Sequence, residues 1–490
     1  MSAHTPSTTD NSSAAPGVTP PAWAVLLAAC AGQFLVVLDV SVVNVALPSM
    51  RTDLGLGETA LQWVVNAYAL TFAGFLLLGG RAADLFGRKR AFLVGLGLFT
   101  AASLAGGLAR EPWQLVAARA VQGLGAAVLS PATLTILTTT FPGGAARTRA
   151  IGTWAAVGAG GGAAGGLVGG LLTDYLSWRW VLLVNVPVGA LVLVAATVWL
   201  AESRAAAGRR LDVPGAVLVT AGVSALAYGI VQTEGHGWAA TASLVPLLGG
   251  LALLGVFLAV EARTRAPLMP LGLFRIRAVW AANAVMLVCG GGMFAMWYFM
   301  SLYLQNVLHF SPIEAGLAFL PHTLSIVLGS KLAPRLMAVV SGKALAMTGG
   351  ILAVIGYAWQ SRMDADGTFA GTVLGPAIVM SLGSGLMMTP LATAATSGAA
   401  PSEAGLVAGL VNTSRQIGGA LGLTVLTTVA AERISTTANT NAAGGGSGGS
   451  GDGPGPVALA AGYSHAFTVA SGIIAAAVIL MAVALPRRRA

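Results

Sequence analysis

The sequence predicts an all-α polytopic membrane protein with fourteen transmembrane helices. Only 9% of its 490 residues are charged, against about 25% in a soluble domain. Apolar residues make up 56% of the chain, and the mean hydropathy is +0.80. These apolar residues fall into runs of about 20, the length that crosses a bilayer as a helix. The runs do not alternate, so they are not the strands of a membrane barrel. A soluble enzyme, a disordered protein and a fibrous protein are excluded. The net charge of +9 does not mark a nucleic-acid binder, because the 26 Lys and Arg sit in short clusters between apolar runs rather than in one patch.

The fourteen runs cover 22–47, 60–80, 89–109, 113–139, 148–172, 180–201 and 213–232, then 242–261, 279–307, 313–336, 343–360, 369–396, 403–431 and 463–485. The eleventh is the shortest, and the seventh has the least defined start. Residues 1–21 are rich in Ser, Thr and Pro and are expected to be a disordered tail. Residues 435–456, which include Gly-Gly-Gly-Ser-Gly-Gly-Ser, are expected to be a flexible Gly/Ser extracellular loop. Cys30, in Leu27-Ala28-Ala29-Cys30, resembles a lipoprotein cleavage site. That assignment fails on two counts: the first 20 residues hold no Lys or Arg, and the apolar run continues past Cys30. The other cysteine, Cys289, also lies in an apolar run, so no disulfide framework is expected.

Basic residues orient the chain. Nineteen Lys and Arg fall in alternate loops and the C-terminal tail, notably in loop 81–90, and five fall on the other side. The positive-inside rule places the nineteen in the cytoplasm, with both termini. Gly80–Arg90 between spans 2 and 3 has a faded counterpart in Lys331–Lys343 between spans 10 and 11. This suggests two six-helix halves, 22–201 and 279–485, joined by a 202–278 linker carrying two additional transmembrane helices, with a short basic tail at 486–490. Parallel repeats of this kind are a transporter architecture.

Charges inside spans are rare and costly, about 2.5–3.5 kcal/mol each on insertion scales. Asp39, Arg119 and Arg415 are therefore functional candidates, with a structural ion pair as the alternative. A carboxyl group in low dielectric favours its neutral form, which suits Asp39 to taking up and releasing a proton. Asn44, about 140° around the helix from Asp39, cannot share its face. If Asp39 faces the cavity, Asn44 therefore contacts a neighbouring helix. Span 4 carries Arg119, Gln122, Gly123, Ala126, Ala127 and Ser130 in one small, polar stripe. Span 5 repeats Gly158, Gly161, Gly162, Gly165, Gly166, Gly169 and Gly170, a nearly bare face for close helix approach; it serves either static packing or a moving seam. Met293, Trp297 and Tyr298 on span 9 and Met387 on span 12 offer soft apolar surface, with core filling as the equal alternative. Gln122, Asn412 and Arg415 complete the candidate substrate cavity. The five histidines lack ligand spacing, so no metal is expected, and no nucleophile elbow or carboxylate pair for catalysis appears.

These segments together resemble a known family. Gly80-Arg81-Ala82-Ala83-Asp84-Leu85-Phe86-Gly87-Arg88-Lys89-Arg90 is similar to the cytoplasmic loop signature of the major facilitator superfamily, with Ala82 where Leu is common. The surroundings of Asp39, and Arg119-Ala-Val-Gln122-Gly123-Leu-Gly125, resemble the first- and fourth-helix motifs of the fourteen-span drug:proton antiporter family (EmrB/QacA type). Gly161-Gly-Ala-Ala-Gly165-Gly166-Leu-Val-Gly169-Gly170 resembles its antiporter motif, with Gly166 where the family has proline. Ser177-Trp178-Arg179-Trp180 and Asn185-Val-Pro187-Val-Gly189 also fit. The resemblance implies a major facilitator fold. It further implies proton coupling through Asp39 and Arg119, and a gating loop of Gly80, Asp84, Gly87 and Arg88. Asp84 would then pair across the half interface.

The expected function is proton-coupled export of amphipathic drugs or antibiotics by a monomer in the cytoplasmic membrane. Its partners would be small organic substrates, protons and the lipid bilayer, with no nucleic acid, and the proton gradient would stand in place of a cofactor. With Asp39 the one acid well inside a span, neutral, monocationic or zwitterionic substrates are expected over dications. An uptake or facilitative transporter of the same fold is the alternative; a membrane sensor or enzyme lacks a domain or catalytic cluster. The topology is directly testable. Cysteines introduced as Ser2→Cys and Ser447→Cys should react with impermeant maleimide from opposite sides of intact cells, and same-side labelling would break the fourteen-span arrangement.

Overall fold

With no water in the bilayer core, each span must satisfy its own backbone hydrogen bonds, and a helix does so within one segment. The computed structural model describes residues 21–141, 145–203, 212–264, 267–269, 271–396, 404–443 and 454–486. These form α1 (Ala22–Leu54), α2 (Glu58–Phe86), α3 (Arg88–Gly107), α4 (Pro112–Thr140) and α5 (Ala145–Tyr175). Next come α6 (Trp180–Trp199, interrupted at Val184), α7 (Val213–His236), α8 (Thr241–Arg263) and α9 (Arg277–Asn306). The last are α10 (Pro312–Leu336, interrupted at Phe319), α11 (Gly342–Gln360), α12 (Gly375–Thr396, led by a π turn at Phe369–Leu374), α13 (Ala404–Ala443) and α14 (Pro456–Ala484). Among the described residues, thirteen helices are long and apolar enough to cross a membrane. The remaining helix, α11, has 19 residues with Lys343 and Gln360 near its ends and packs against α12 and α14.

Local chemistry fixes the ends. Gly55 closes α1 at φ 59°, a left-handed conformation that glycine adopts without a Cβ penalty. Asp212 accepts from the Gly215 N–H at the start of α7, a side-chain N-cap that defines the boundary left vague by hydropathy. Glu261, at the end of α8, accepts from the Met269 N–H at 2.9 Å. Lys343 Nζ and Arg277 donate to the last carbonyls of α14, Lys343 to Leu485 at 2.8 Å and Arg277 to Ala484 at 2.9 Å. Both are C-terminal caps of the kind basic side chains provide.

The packing repeats with an offset of eight helices. Pairs α2–α4, α3–α4, α1–α5 and α3–α6 recur as α10–α12, α11–α12, α9–α13 and α11–α14. The first six helices meet the last six through α2–α13, α5–α10 and α1–α9, while α7 and α8 pack on each other and α7 rests on α2 and α13. Across the α1–α9 contact, Ser301 Oγ donates to Asn44 O at 2.6 Å and Gln305 Nε2 to Val45 O at 2.9 Å.

One boundary is corrected. Composition places residues 435–443 in a flexible loop, yet α13 continues to Ala443. No Gly or Pro interrupts Ala430–Ala443, and the Ser and Thr hydroxyls bond back onto the helix, as with Thr436 to Glu432 O and Thr440 to Thr436 O. At 1.5 Å per residue, the 40 residues of α13 span about 60 Å, twice a hydrocarbon core. The expectations for the N-terminal tail, the Gly/Ser tract at 444–453 and the basic C-terminal residues 487–489 lie outside the described residues.

The glycine-rich α5 presents two faces rather than one. Gly161, Gly165 and Gly169 lie against α1: a Cβ on Gly161 would meet Phe34 O at 3.1 Å, one on Gly165 would collide with Ser41, and one on Gly169 would meet Val42 Cα at 2.9 Å. Ser41 Oγ donates to Gly162 O at 2.9 Å across this contact. Gly166 and Gly170 instead face α10, where Cβ atoms would meet Gly316 O at 3.0 Å and Ile313 Cα at 2.6 Å. Static packing thus accounts for one set, and the second lies at the seam between the first and last six helices. The two sets should respond differently to bulk. Gly165→Val should lower the thermal midpoint in detergent by several degrees, the cost of overpacking an interior. Gly170→Val should keep its midpoint within about 3 °C but lose transport, since only the seam is wedged.

Candidate functional site

The apolar stretches of α1 and α4 carry one charge each, Asp39 and Arg119, and packing α1 against α4 brings them together. Asp39 is fully buried and Arg119 is 2% exposed, with Arg119 Nη1 2.6 Å from Asp39 Oδ2. The second carboxylate oxygen accepts from Gln122 Nε2 at 2.7 Å and from Asn185 Nδ2 on α6 at 3.0 Å. All three contacts are donated to Asp39, the arrangement an acceptor-only carboxylate needs. Gln122 Nε2 also donates to Ser103 Oγ on α3 at 2.7 Å. Arg119 further donates to Gln122 Oε1 at 2.6 Å and to Val64 O on α2 at 3.2 Å. Its guanidinium carbon stands 4.4 Å over the Tyr68 ring, a cation–π contact strengthened by desolvation.

A small, partly open pocket lies beside this network, lined by Asn44, Val65, Tyr68, Arg119, Phe294 and Gln416 among others. Arg119 faces both the cavity and Asp39, whereas Asp39 faces α3, α4 and α6. The orientation of α1 is therefore the reverse of the case weighed from sequence: Asn44, not Asp39, lines the cavity. The Tyr68 hydroxyl has no hydrogen-bond partner among the described residues although the residue is 3% exposed.

Other candidates take varied positions. Gln122, a cavity candidate from sequence, is instead locked into the Asp39 network, because a buried amide binds the nearest acceptor and donor it can satisfy. Met387, likewise a cavity candidate, is fully buried with its sulfur 4.0 Å from Cys289 Sγ; it fills core. Tyr298 is buried and lines a second cavity with Gln62 and Tyr463. Trp297 is half-buried and stacks on Phe319 at 4.9 Å, and Met293 is half-buried on the same helix. Arg415 Nη2 donates to Asn412 Oδ1 at 2.8 Å, and both are half-buried.

The loop around Gly87 docks on the end of α6. Arg88 N donates to Ser203 O at 3.0 Å, and the Lys89 and Arg90 N–H groups each donate to the Glu202 carboxylate at 3.2 Å. A carboxylate at a helix N-terminus satisfies orphan donors and the dipole of α3. Gly87 has φ 110°, and a Cβ there would collide with Glu202, so glycine is needed twice over. Gly80 lies against Pro131 of α4, its nearest approach 3.6 Å from a would-be Cβ. The Asp84 side chain, expected to pair across the halves, lies outside the described residues.

Sequence reasoning missed Asn185, Ser103, Tyr68, Glu202 and Glu261. Asn185 stands in a noted motif, but nothing in spacing links it to Asp39. Glu261, 3% exposed, is hidden by its place at the last residue of an apolar run. Trp178 and Arg179 also find a role: Trp178 Nε1 and Arg179 Nη1 both donate to Asp53 Oδ2, at 2.9 and 2.6 Å, stapling the α5–α6 link to the end of α1.

The sequence profile of the Major Facilitator Superfamily matches residues 29–423. The chain belongs to the major facilitator superfamily. It is a multi-pass membrane protein of a transporter family. It is 49% identical over 415 residues to the Cephamycin export protein CmcT of Amycolatopsis lactamdurans, covering 84% of this chain and 85% of that one. It is 41% identical over 421 residues to the Puromycin resistance protein pur8 of Streptomyces alboniger, covering 85% and 84%. Among solved structures, a bacterial homolog of the human lysosomal transporter Spinster superposes with TM-score 0.68 at 18% identity, over 96% of this chain and 98% of that one, which supports the shared fold.

The burial of the ion pair sets its energetic weight. Removing one partner of a buried pair leaves an uncompensated charge and costs about 3–5 kcal/mol. Arg119→Ala should therefore lower the thermal midpoint far more than the double variant Asp39→Asn/Arg119→Gln. Equal losses for both would show that the pair contributes packing rather than charge compensation.

Proposed function

We propose that this chain exports amphipathic antibiotics or similar drugs across the cytoplasmic membrane in exchange for protons, with both termini in the cytoplasm. The similarity to two antibiotic export and resistance proteins over more than four-fifths of the chain supports the substrate class. The coupling rests on one observation: Arg119 belongs both to the carboxylate network of Asp39 and to the wall of the adjoining pocket.

A proton on Asp39 would remove the charge that holds Arg119, leaving the guanidinium to Gln122, Val64 O and the Tyr68 ring. The position of Arg119 in the cavity would then depend on the protonation of a group the substrate never touches. A ligand shifts a conformational equilibrium only by its differential affinity for the two states, and coupling between two ligands is reciprocal. Protonation of Asp39 thus biases the bundle toward the inward-facing state, and substrate binding in the cavity biases the protonation of Asp39 in return. Rocking of the first six helices against the last six at the α5–α10 seam would carry the alternation.

Expression in a pump-deleted host should raise resistance to several amphipathic antibiotics, and a protonophore should remove that gain. In everted vesicles, Asp39→Asn should lose uphill accumulation under a pH gradient but retain downhill exchange, while Arg119→Ala should lose both. Uphill export by a well-folded Asp39→Asn variant would overturn the coupling. Protonophore-insensitive transport by the unaltered chain would point to a facilitator.

A further inference from the structure

The two inserted helices carry an acid pair that takes no part in the Asp39 network. Asp212 begins α7, and Glu261 lies in the last turn of α8. The hairpin therefore brings both to one side of the membrane, the cytoplasmic side in the proposed topology. They are 5% and 3% exposed. One oxygen of each is engaged: Asp212 Oδ1 accepts from the Gly215 N–H at 2.9 Å, and Glu261 Oε2 from the Met269 N–H at 2.9 Å. The other oxygen of each, Asp212 Oδ2 and Glu261 Oε1, is buried with no hydrogen-bond partner among the described residues. These two oxygens converge. The place a Cβ on Gly215 would take is 2.7 Å from the first and 2.8 Å from the second.

An ionised carboxylate only accepts hydrogen bonds. Two that face each other out of water neither satisfy one another nor ionise together, so something positive lies between them. No basic side chain does. Among the described residues, Asp212 is the one charged group acting on Glu261. Arg263 and Arg275 are exposed, and Arg277 caps α14. Of the helices packed on α7, α2 brings Arg81 and α13 brings Arg415, and among the described residues neither makes an ion pair or hydrogen bond with the two acids. Glu58, His236, Glu432 and Arg433 lie at the opposite ends of these helices. A metal ion is poorly served as well. No group of three His, Cys, Asp or Glu occurs among the described residues, and the backbone groups bonded to the pair are N–H donors. A proton fits, because on one carboxyl it becomes the donor that the facing oxygen lacks.

We propose that Asp212 and Glu261 hold one proton between them, a second proton-binding site apart from Asp39, and that this proton clasps the cytoplasmic end of the α7–α8 hairpin to the segment leading into α9. The clasp has two arms. Asp212 caps α7, which rests on α13 and is seated so closely on α2 that a Cβ on Gly74 would collide with Thr220. Glu261 holds Met269, just ahead of α9. While the proton is shared, both arms keep their backbone bonds. When an alkaline cytosol withdraws it, two like charges face each other in low dielectric, and they separate only by giving up Gly215 or Met269. The joint between the inserted helices and the last six helices thus loosens as cytosolic pH rises.

Infrared spectroscopy of the full-length protein in phosphatidylcholine nanodiscs reads the site directly, because the carbonyl stretch of a protonated carboxyl group is separate from that of a carboxylate. At neutral pH the difference between the unaltered protein and Glu261→Gln should contain one protonated-carboxyl band, and so should the difference from Asp212→Asn. In both variants the new amide donates in the proton's place, and Asn still caps α7. The band should fade as the pH is raised and should persist in an Asp39→Asn background. The thermal midpoint gives a second readout. A proton held in the fold and released on unfolding stabilises at low pH and ceases to as pH rises. From neutral to alkaline pH, the midpoint of the unaltered protein should therefore fall by about 2–4 °C more than that of Glu261→Gln. Absence of the band from both differences, or midpoints that fall in parallel, would overturn the shared proton. So would an alkaline midpoint restored by sodium or calcium ions in the unaltered protein but not in Glu261→Gln, which would make the pair a cation site.

Discussion

A carboxylate in the middle of a bilayer-spanning bundle must find donors in the protein, because the lipid has none to offer. Asp39 meets that constraint by recruiting side chains from several helices. Arg119 and Gln122 come from α4, Asn185 from α6, and Ser103 of α3 follows through Gln122. Arg119 extends the set to α2 through Val64 O and Tyr68. One acid on α1 thus fixes the relative positions of five of the first six helices. The pair need not add net stability, since a buried ion pair roughly repays its own desolvation. Its effect is specificity: any arrangement that separates these helices strands a charge in low dielectric.

α5, the remaining helix of the first six, is held differently. Glycines on α5 let its backbone approach α1, so packing replaces polar contact. The same solution joins α9 to α13, where Gly290, Gly291, Gly418 and Gly422 bring the backbones together. Gly166 and Gly170 turn this property outward, toward Gly316 and Ile313 of α10. A seam between bare backbones has little side-chain interdigitation to break, so it separates at lower cost than a contact of interlocked leucines. At Gly166 a proline ring would crowd Gly316 O, which stands 3.0 Å from the place a Cβ on Gly166 would take. The glycine at this position suits the close α5–α10 contact better than the proline usual in the resembling motif.

The fourteen helices were legible because each needs about 20 apolar residues and the chain has few charges to interrupt them. Asp39 and Arg119 were legible for the complementary reason: a charge in such a run is costly and stands out. Their partners were not. Asn185, Ser103 and Gln122 are neutral polar residues of a kind scattered through many spans, and only tertiary packing decides which acceptor each one reaches. Periodicity gave the angle between Asp39 and Asn44 but not which of them faced the cavity, since that depends on how α1 is rotated against α4 and α9. The two faces of α5 were merged for the same reason, as Gly165 and Gly166 are adjacent in sequence yet meet different helices. The length of α13 was missed because hydropathy measures preference for lipid, whereas Ala, Glu and Arg continue a helix equally well in water.

The charge of Arg119 beside the cavity is set by the carboxylate behind it. On the first six helices, Arg119 is neutralised internally, so its wall presents a guanidinium edge without net charge. Under the proposed coupling, a proton arriving at Asp39 would leave the charge of Arg119 uncompensated beside the cavity, so the field felt by a bound substrate would change although the substrate never touches the proton. For a cation the change is repulsive, and for a carboxylate it is attractive. The sign of the substrate's charge therefore sets whether protonation helps to expel it or to retain it. A substrate with a cationic group toward Arg119 would be held in the deprotonated state and pushed away when Asp39 takes a proton. Under that coupling, proton entry and release of such a cationic group would assist each other in export rather than uptake.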